Sequence, residues 1–323
     1  MTNPLPPSNE PVAQRRPWDP EVELPRDLVA RLIGRHMPRL APLNQLELLG
    51  QGWDNAAWLV NGTHVVRFVR RELGVALLRA ECEFLPWLAP QLPVAVPVPD
   101  VFVERDPEYV FPFASYEMLP GRTGCRVPLD DAARAALALP LARFLGALHA
   151  VPRPTDRELP GDHLGRADRA RRVERLCIKL DDMVNTSAID AGIAAAVKAT
   201  LRRTATSPAW PAEPVWCHGD FYARHILLDD HAQLCGVIDW GDVHIGDPAG
   251  DASIACSLLP PSSRDAFFAE WSRVSGLEED AGLRDRAQFR ALQYGVYLLD
   301  YGLSVDDAAM RDIARYALRA VDQ

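Results

Sequence analysis

The sequence predicts an α+β fold in two parts: a five-stranded antiparallel sheet with one inserted helix, followed by a largely helical region. Three observations predict it. Short apolar runs separated by turn signals fill most of residues 46–118. From Asp130 onward, apolar residues recur mainly at helical spacing. Between the two stretches, Leu119-Pro120-Gly121 punctuates the chain.

Residues 1–24 are polar and Pro-rich, lack the apolar core of a secretory leader, and read as a disordered tail. Leu28, Leu32 and Ile33 then give one apolar face to a short helix over Arg26–Met37. Leu46–Leu49 is a strand, Gly50-Gln51-Gly52-Trp53-Asp54-Asn55 a glycine-bearing break, and Ala56–Val60 the next strand. Asn61-Gly62 is a tight-turn signal, so His64–Val69 returns antiparallel. Leu73, Leu77, Leu78, Phe84 and Leu88 predict a helix over Arg71–Leu88, which Pro93, Pro97 and Pro99 terminate. Val101–Glu104 and Val110–Met118 complete the sheet. The implied division is a tail (1–24), an N-terminal lobe (25–118) and a C-terminal lobe (119–323).

In the second part, Leu137, Leu141, Phe144, Leu145 and Leu148 share one helix face behind an Asp130 cap. Pro140 must either bend that helix or mark its true first turn. Further helices are expected over 166–183, 188–204, 263–274, 283–302 and 306–320. A β island interrupts them: Val215–Cys217, then Ile226–Leu228 and Leu234–Ile238 joined through Asp229-Asp230-His231 as a hairpin.

Composition excludes several classes. No run approaches the ~18 apolar residues of a membrane span. The net charge of −9 falls wholly in residues 218–323, with 18 acidic and 9 basic groups, while residues 1–217 balance at 26 each. A nucleic-acid binder carries the opposite sign. An acidic region suits solubility, or a cationic small molecule. The six cysteines form no CxxC pair and read as reduced core residues of a cytoplasmic protein.

The densest polar cluster in apolar surroundings is His218-Gly219-Asp220-Phe221-Tyr222-Ala223-Arg224-His225, and Asp239 follows Asp220 by nineteen residues. A loop followed by a hairpin brings Asp220, His225 and Asp239 to one end of a small sheet. Carboxylates are the hard ligands that Mg²⁺ takes together with substrate phosphates. A second carboxylate held off the metal can accept a hydroxyl proton. Taken singly these groups read as strand and turn caps; their joint spacing favours chemistry.

His218-x-Asp220-x₄-His225 with Ile238-Asp239-Trp240-Gly241 resembles the catalytic signature of the aminoglycoside phosphotransferase family, small-molecule kinases of bilobal protein-kinase-like fold. The glycine loop, Val65-Val66-Arg67, Glu81, Tyr116–Gly121 and Gly246-Asp247-Pro248-Ala249-Gly250-Asp251 fall in the family's order over residues 26–320. The resemblance implies that Asp220 is the catalytic base and that Asp239 holds Mg²⁺ against the nucleotide phosphates. His225 stands where most of the superfamily has Asn, a variant shared with the macrolide and double-prime aminoglycoside branches; imidazole can bind a metal, although Mg²⁺ prefers oxygen. His218 is expected to brace the loop, and Asp247 and Asp251 to support it.

The same resemblance makes Gly50, Gly52 and Asn55 a phosphate-covering loop. The chain has two lysines, Lys179 and Lys198, both far downstream, so Arg67 takes the strand-cation position with Glu81 as its partner and Glu83 as the near alternative. Tyr116, Glu117 and Leu119 match the purine-reading hinge; Tyr116 either disfavours adenine and admits guanine or is a core aromatic. Glu270, Trp271, Asp300 and Tyr301 are candidates for the acceptor site, with plain helix-surface placement as the alternative.

The expected function is therefore Mg²⁺-dependent transfer of a phosphoryl group from ATP or GTP to a hydroxyl of an aminoglycoside-like or macrolide-like compound. A metabolic kinase for a sugar or amino alcohol would use the same residues. A degenerate, non-catalytic nucleotide-binding regulator would have lost Asp220 or Asp239, and both remain. A metal-dependent hydrolase built on His218, Asp220, His225, Asp239 and His244 leaves the glycine-loop lobe unexplained.

Overall fold

Helix α1 (Arg26–His36) opens the chain, and strands β1 (Leu46–Gln51), β2 (Asn55–Val60) and β3 (His64–Val69) follow as an antiparallel meander. The computed structural model describes residues 20–320 apart from Trp53, His163, Leu164 and Ala167. Asn61 and Gly62 both take positive φ, 51° and 70°, and with Thr63, whose N–H donates to Val60 O, they turn the chain from Val60 to its partner His64. The Asn61 amide also binds the incoming chain, accepting from Asn44 N and Gln45 N and donating to Leu40 O and Pro42 O. Helix α2 (Leu73–Leu88) is followed by β4 (Val101–Val103) and β5 (Phe113–Glu117), and the sheet runs β1-β2-β3-β5-β4.

Cα packing divides the chain into two compact units, residues to Leu78 with Val101–Ser115, and Arg79–Asp100 with the residues from Tyr116 onward. In the first, Phe68 stacks on Phe113 at 4.8 Å and the Tyr109 hydroxyl donates to Val69 O. Arg35 and His36 of α1 bind Asp106, and Arg31 binds Glu108.

The second unit contains β6 (Arg122–Thr123), α3 (Asp131–Ala136), α4 (Ala138–Ala150), α5 (Arg169–Asn185) and α6 (Ala191–Ala205). Then come β7 (Val215–Cys217), β8 (Ile226–Leu228), β9 (Leu234–Val237) and β10 (His244–Gly246). Helices α7 (Ala249–Ala252), α8 (Ile254–Ser257), α9 (Pro261–Ser275), α10 (Leu283–Ser304) and α11 (Ala308–Arg319) complete it. Asp130 caps α3 by accepting from Ala133 N, and Pro140 lies in the first turn of α4, where its missing N–H costs no hydrogen bond. Of the two expectations for Pro140, a bend or a true first turn, the structure shows the first turn of a new helix.

Strands β8 and β9 form the expected hairpin, with Asp229 Oδ1 accepting from His231 N and Gln233 N. β7 instead pairs antiparallel with β10, a strand the sequence does not announce, and β6 adds to β8. The core beneath is aromatic: Phe144 stacks on Phe221 at 5.5 Å, and Trp216, Trp240 and Trp271 are wholly buried. α9 lies so close along α4 that a Cβ at Gly146 would stand 2.7 Å from Val274. All six cysteines are free, and among the described residues no helix is long and apolar enough to cross a membrane.

Candidate active site

Strand β7 delivers His218 into a loop that the buried carboxylate of Asp251, on α7, ties down from beneath. Asp251 accepts from His218 N at 2.7 Å and Gly219 N at 2.9 Å. It also lies 3.4 Å from His149 Nε2. The Trp271 indole N–H can only donate, and it reaches His149 Nδ1 at 2.8 Å, so the His149 proton sits on Nε2, facing Asp251. Burial alone would raise the Asp251 pKa; the His149 hydrogen bond, the nearby histidines and Gly219 N outweigh it and hold the carboxyl below its ordinary value.

Gly219 has φ +83°, and a Cβ there would stand 2.2 Å from Asp242 O, so no other residue fits. His218 is the brace expected of it: Nε2 donates to Ile238 O at 3.0 Å and Nδ1 accepts from Asp220 N at 3.3 Å. Burial pushes its pKa down, keeping it neutral.

The hairpin register explains the convergence. Ile226 pairs with Val237, and Ile238 N donates to His225 O at 2.9 Å, so His225 and Asp239 leave the same end. His225 Nδ1 lies 2.8 Å from Asp220 O, a carbonyl, and therefore carries the proton. Its Nε2 then presents a lone pair 3.2 Å from Asp239 Oδ2. Two acceptors this close require a proton or a cation between them. The pair therefore fits a divalent ion, with oxygen from Asp239 and nitrogen from His225. Asp239 itself takes φ +66°, an uncommon backbone for a non-glycine residue.

Asp220 is gripped from the other side by residues that the sequence reading missed. Its Oδ1 accepts from the Tyr294 hydroxyl at 2.9 Å and lies 3.8 Å from Arg290 and 3.9 Å from Arg166. Arg166 also donates to Gly219 O at 2.7 Å and to Asp242 Oδ2 at 2.8 Å. Burial would push the Asp220 carboxyl up, but Arg166, the neighbouring His225 and Arg290 prevail and hold it below its ordinary value. The available signal was helical: Arg290, Tyr294 and Tyr301 recur at four- and seven-residue spacing on α10.

The nucleotide candidates are distributed as follows. Gly50 lies in β1 one residue before its end, and Gly52 N donates to Asn55 O at 2.8 Å, closing the loop. A Cβ at Gly50 would meet nothing within 4 Å, and one at Gly52 only Asn55 O at 3.7 Å. The chain's own described packing thus does not demand glycine at either position. Asn55 Oδ1 is buried with no hydrogen-bond partner among the described residues. Arg67 is buried on β3, in register with Ala57; Glu81 is wholly buried on α2; Glu83 is exposed. Tyr116 and Glu117 end β5, half-buried and exposed, and Leu119 is half-buried beyond it.

Of the acceptor candidates, Tyr301 alone packs toward the site, against the cluster of Tyr222, Tyr294 and Met310. Trp271 has no exposed surface and spends its N–H on His149, leaving no face for a ligand. Glu270 is tied to Arg143 and Arg273, and Asp300 to Lys179. Their charges are already matched within the chain. Neither joins Asp220, because α9 packs on α4 and Asp300 turns toward α5.

Asp220, of lowered pKa, thus lies beside the facing His225 and Asp239 on loops between short strands of a helical unit. The model of the phosphotransferase enzyme family (APH) matches residues 45–292, and the chain belongs to that family, with its protein-kinase-like fold. A solved GDP and kanamycin complex of an APH(2″) enzyme is 25% identical, with a TM-score of 0.64 over 91% of this chain and 97% of the other. The GDP complex of a wild-type aminoglycoside 2′-phosphotransferase-IIIa is 26% identical, with a TM-score of 0.61 over 91% and 96%. The apoenzyme of a macrolide 2′-phosphotransferase from Brachybacterium faecium shares the fold at 24% identity, with a TM-score of 0.59 over 90% and 98%. Among curated proteins, the uncharacterized protein YcbJ of Bacillus subtilis (strain 168) is 38% identical over 42 residues, a stretch of 13% of this chain and 14% of that relative.

Proposed function

We propose that the protein is a Mg²⁺-dependent small-molecule kinase that moves the γ-phosphoryl group of ATP or GTP to a hydroxyl of an aminoglycoside-like or macrolide-like compound. The observation that carries this reading is the Asp220 carboxylate, held below its ordinary pKa and hydrogen-bonded at one oxygen, next to His225 Nε2 and Asp239 Oδ2, two acceptors 3.2 Å apart that suit a cation. The GDP complexes among the structural relatives support a nucleotide donor. In this reading residues 25–118 form the nucleotide lobe, in which Gly50, Gly52, Asn55, Arg67 and Glu81 serve the phosphates and Tyr116, Glu117 and Leu119 the base. Tyr301 is the acceptor-site candidate that the packing favours.

Asp239 and His225 Nε2 would hold Mg²⁺, whose charge neutralises the phosphate oxygens. Asp220 Oδ2 takes the proton of the acceptor hydroxyl. The acceptor oxygen forms the new bond to the γ-phosphorus while the bond to the β,γ-bridging oxygen breaks, and the nucleoside diphosphate leaves with that electron pair. Such a reaction needs positioning and charge neutralisation more than a strong base, which suits a carboxylate of lowered pKa.

A metabolic kinase acting on a sugar or amino alcohol is the second reading. It is favoured by one observation: Glu270 and Asp300, the acids expected to meet ammonium groups, are already paired with Arg143, Arg273 and Lys179. Nucleoside-diphosphate release over a panel of aminoglycosides, macrolides, sugars and amino alcohols, with ATP and with GTP, separates the two. Turnover confined to antibiotics supports the first reading, and turnover confined to metabolites replaces it with the second.

A further inference from the structure

Tyr294 lies on α10, far in sequence from every catalytic motif, yet its hydroxyl is the nearest hydrogen-bond donor to the Asp220 carboxylate among the described contacts. The direction of that bond follows from its other neighbour. Arg290 Nη2 stands 2.8 Å from the Tyr294 oxygen, and a guanidinium has donors but no acceptor. The phenol oxygen must therefore accept from Arg290 and send its own proton elsewhere. Two acceptors are in range, Asp220 Oδ1 at 2.9 Å and Gly219 O at 3.4 Å. Gly219 O already accepts from Arg166 at 2.7 Å and Arg290 at 3.3 Å, which uses both its lone pairs. The tyrosine proton goes to Asp220.

The ring itself is clamped. It stacks on Tyr222 at 5.0 Å, and the Arg290 guanidinium lies over the ring, 4.0 Å from its centroid. We propose that Tyr294, aimed by Arg290, is a positioning residue that fixes Asp220 through Oδ1, so that Oδ2, whose neighbour His225 Nδ1 at 3.5 Å spends its proton on Asp220 O at 2.8 Å, faces the acceptor hydroxyl. The inference rests on the reading of Asp220 as the catalytic base. It assigns to a helix outside the catalytic motifs the task of stopping rotation of the carboxylate about χ2.

The test is steady-state release of nucleoside diphosphate from ATP and GTP, with the member of the aminoglycoside, macrolide, sugar and amino alcohol panel that the wild type turns over and with water alone as acceptor. It compares the wild type, Tyr294→Phe, Arg290→Met and Asp220→Asn, with Mg²⁺–GDP and Mg²⁺–ADP affinities measured by calorimetry. Phenylalanine keeps the stack and removes only the donor. Tyr294→Phe is expected to lower kcat roughly 10- to 100-fold, the scale of a misplaced catalytic group, with nucleotide KM and diphosphate affinity within about two-fold. Arg290→Met frees the phenol to rotate and is expected to lower kcat by a smaller factor. A Tyr294→Phe kcat within two-fold of wild type, or a fall matched by an equal loss of nucleotide affinity, overturns the positioning role. If Asp220→Asn itself turns over normally, the base assignment fails and the inference fails with it. An inactive Asp220→Asn beside a fully active Tyr294→Phe refutes the inference alone.

Discussion

At φ +66°, Asp239 occupies a backbone region where aspartate and asparagine are tolerated and most residues are not. Asp239→Asn therefore keeps the backbone and removes the charge. It is expected to weaken Mg²⁺–nucleotide binding by at least about ten-fold, since outer and inner ligand changes at metal sites cost on that order, with the melting temperature essentially unchanged. Unaltered affinity by calorimetry contradicts its role as cation holder. Gly219 gives the complementary case. Its φ of +83° and the 2.2 Å approach to Asp242 O leave no room for a Cβ. Gly219→Ala is expected to cost about 2 kcal/mol or more in urea unfolding; a cost under about 0.5 kcal/mol would show that the loop can relax. The candidate residues that the fold brings together as the sequence predicts are those sharing a short stretch or a hairpin. Tyr294, Arg290 and Arg166 were not legible because a polar residue on a helix looks the same whether it faces water or a catalytic carboxylate.

At the scale of elements, the network Trp271–His149–Asp251 joins α9, α4 and α7 to the loop after β7. It also accounts for the one cluster among the described residues with metal-ligand types in reach, His149, Cys217 and Asp251. Both ring nitrogens of His149 are already committed, and both Asp251 oxygens accept backbone N–H groups, so this cluster is internal bracing. Asp251→Asn places an amide NH₂ against a backbone N–H and removes a buried charge from its partners. A loss of about 3 kcal/mol at pH 7 is expected, measured by urea denaturation.

Because the Asp251 carboxyl is held below its ordinary value, near 3.9 in an unfolded chain, the native state gains its stabilisation above about pH 4. That gain disappears as pH falls through the lowered native value. The stability gap between wild type and Asp251→Asn should stay constant from pH 8 to pH 5 and narrow below pH 4. A gap independent of pH down to 2 rules out the ionised carboxylate as its source. Long elements with periodic apolar faces were legible within two or three residues. β6 and β10, of two and three residues, carry no periodicity to read, and α7 and α8 are equally short. Pro140 was ambiguous in sequence because a proline in a helix and one in a helix's first turn look alike until the preceding cap is known.

At the scale of the whole molecule, the charge asymmetry suggested a cationic partner, and the structure redistributes that argument. Glu270 is bound by Arg143 and Arg273, and Asp300 by Lys179, so much of the C-terminal acidity is matched by the chain's own cations. The two-part α+β architecture was legible because sheet and helix periodicities occupy separate stretches. The acceptor candidates Glu270, Trp271, Asp300 and Tyr301 were not separable in sequence, because which way each one faces depends on helix packing rather than local pattern.

The central claim is that Asp220 activates a hydroxyl while Asp239 and His225 hold the metal–nucleotide. It is tested most directly by measuring, on the same preparations, nucleoside-diphosphate release and Mg²⁺–nucleotide affinity for wild type and Asp220→Asn. The account predicts that Asp220→Asn loses at least about 100-fold in kcat and retains nucleotide affinity within about two-fold. Retained turnover in Asp220→Asn, or turnover and affinity falling together, would contradict it.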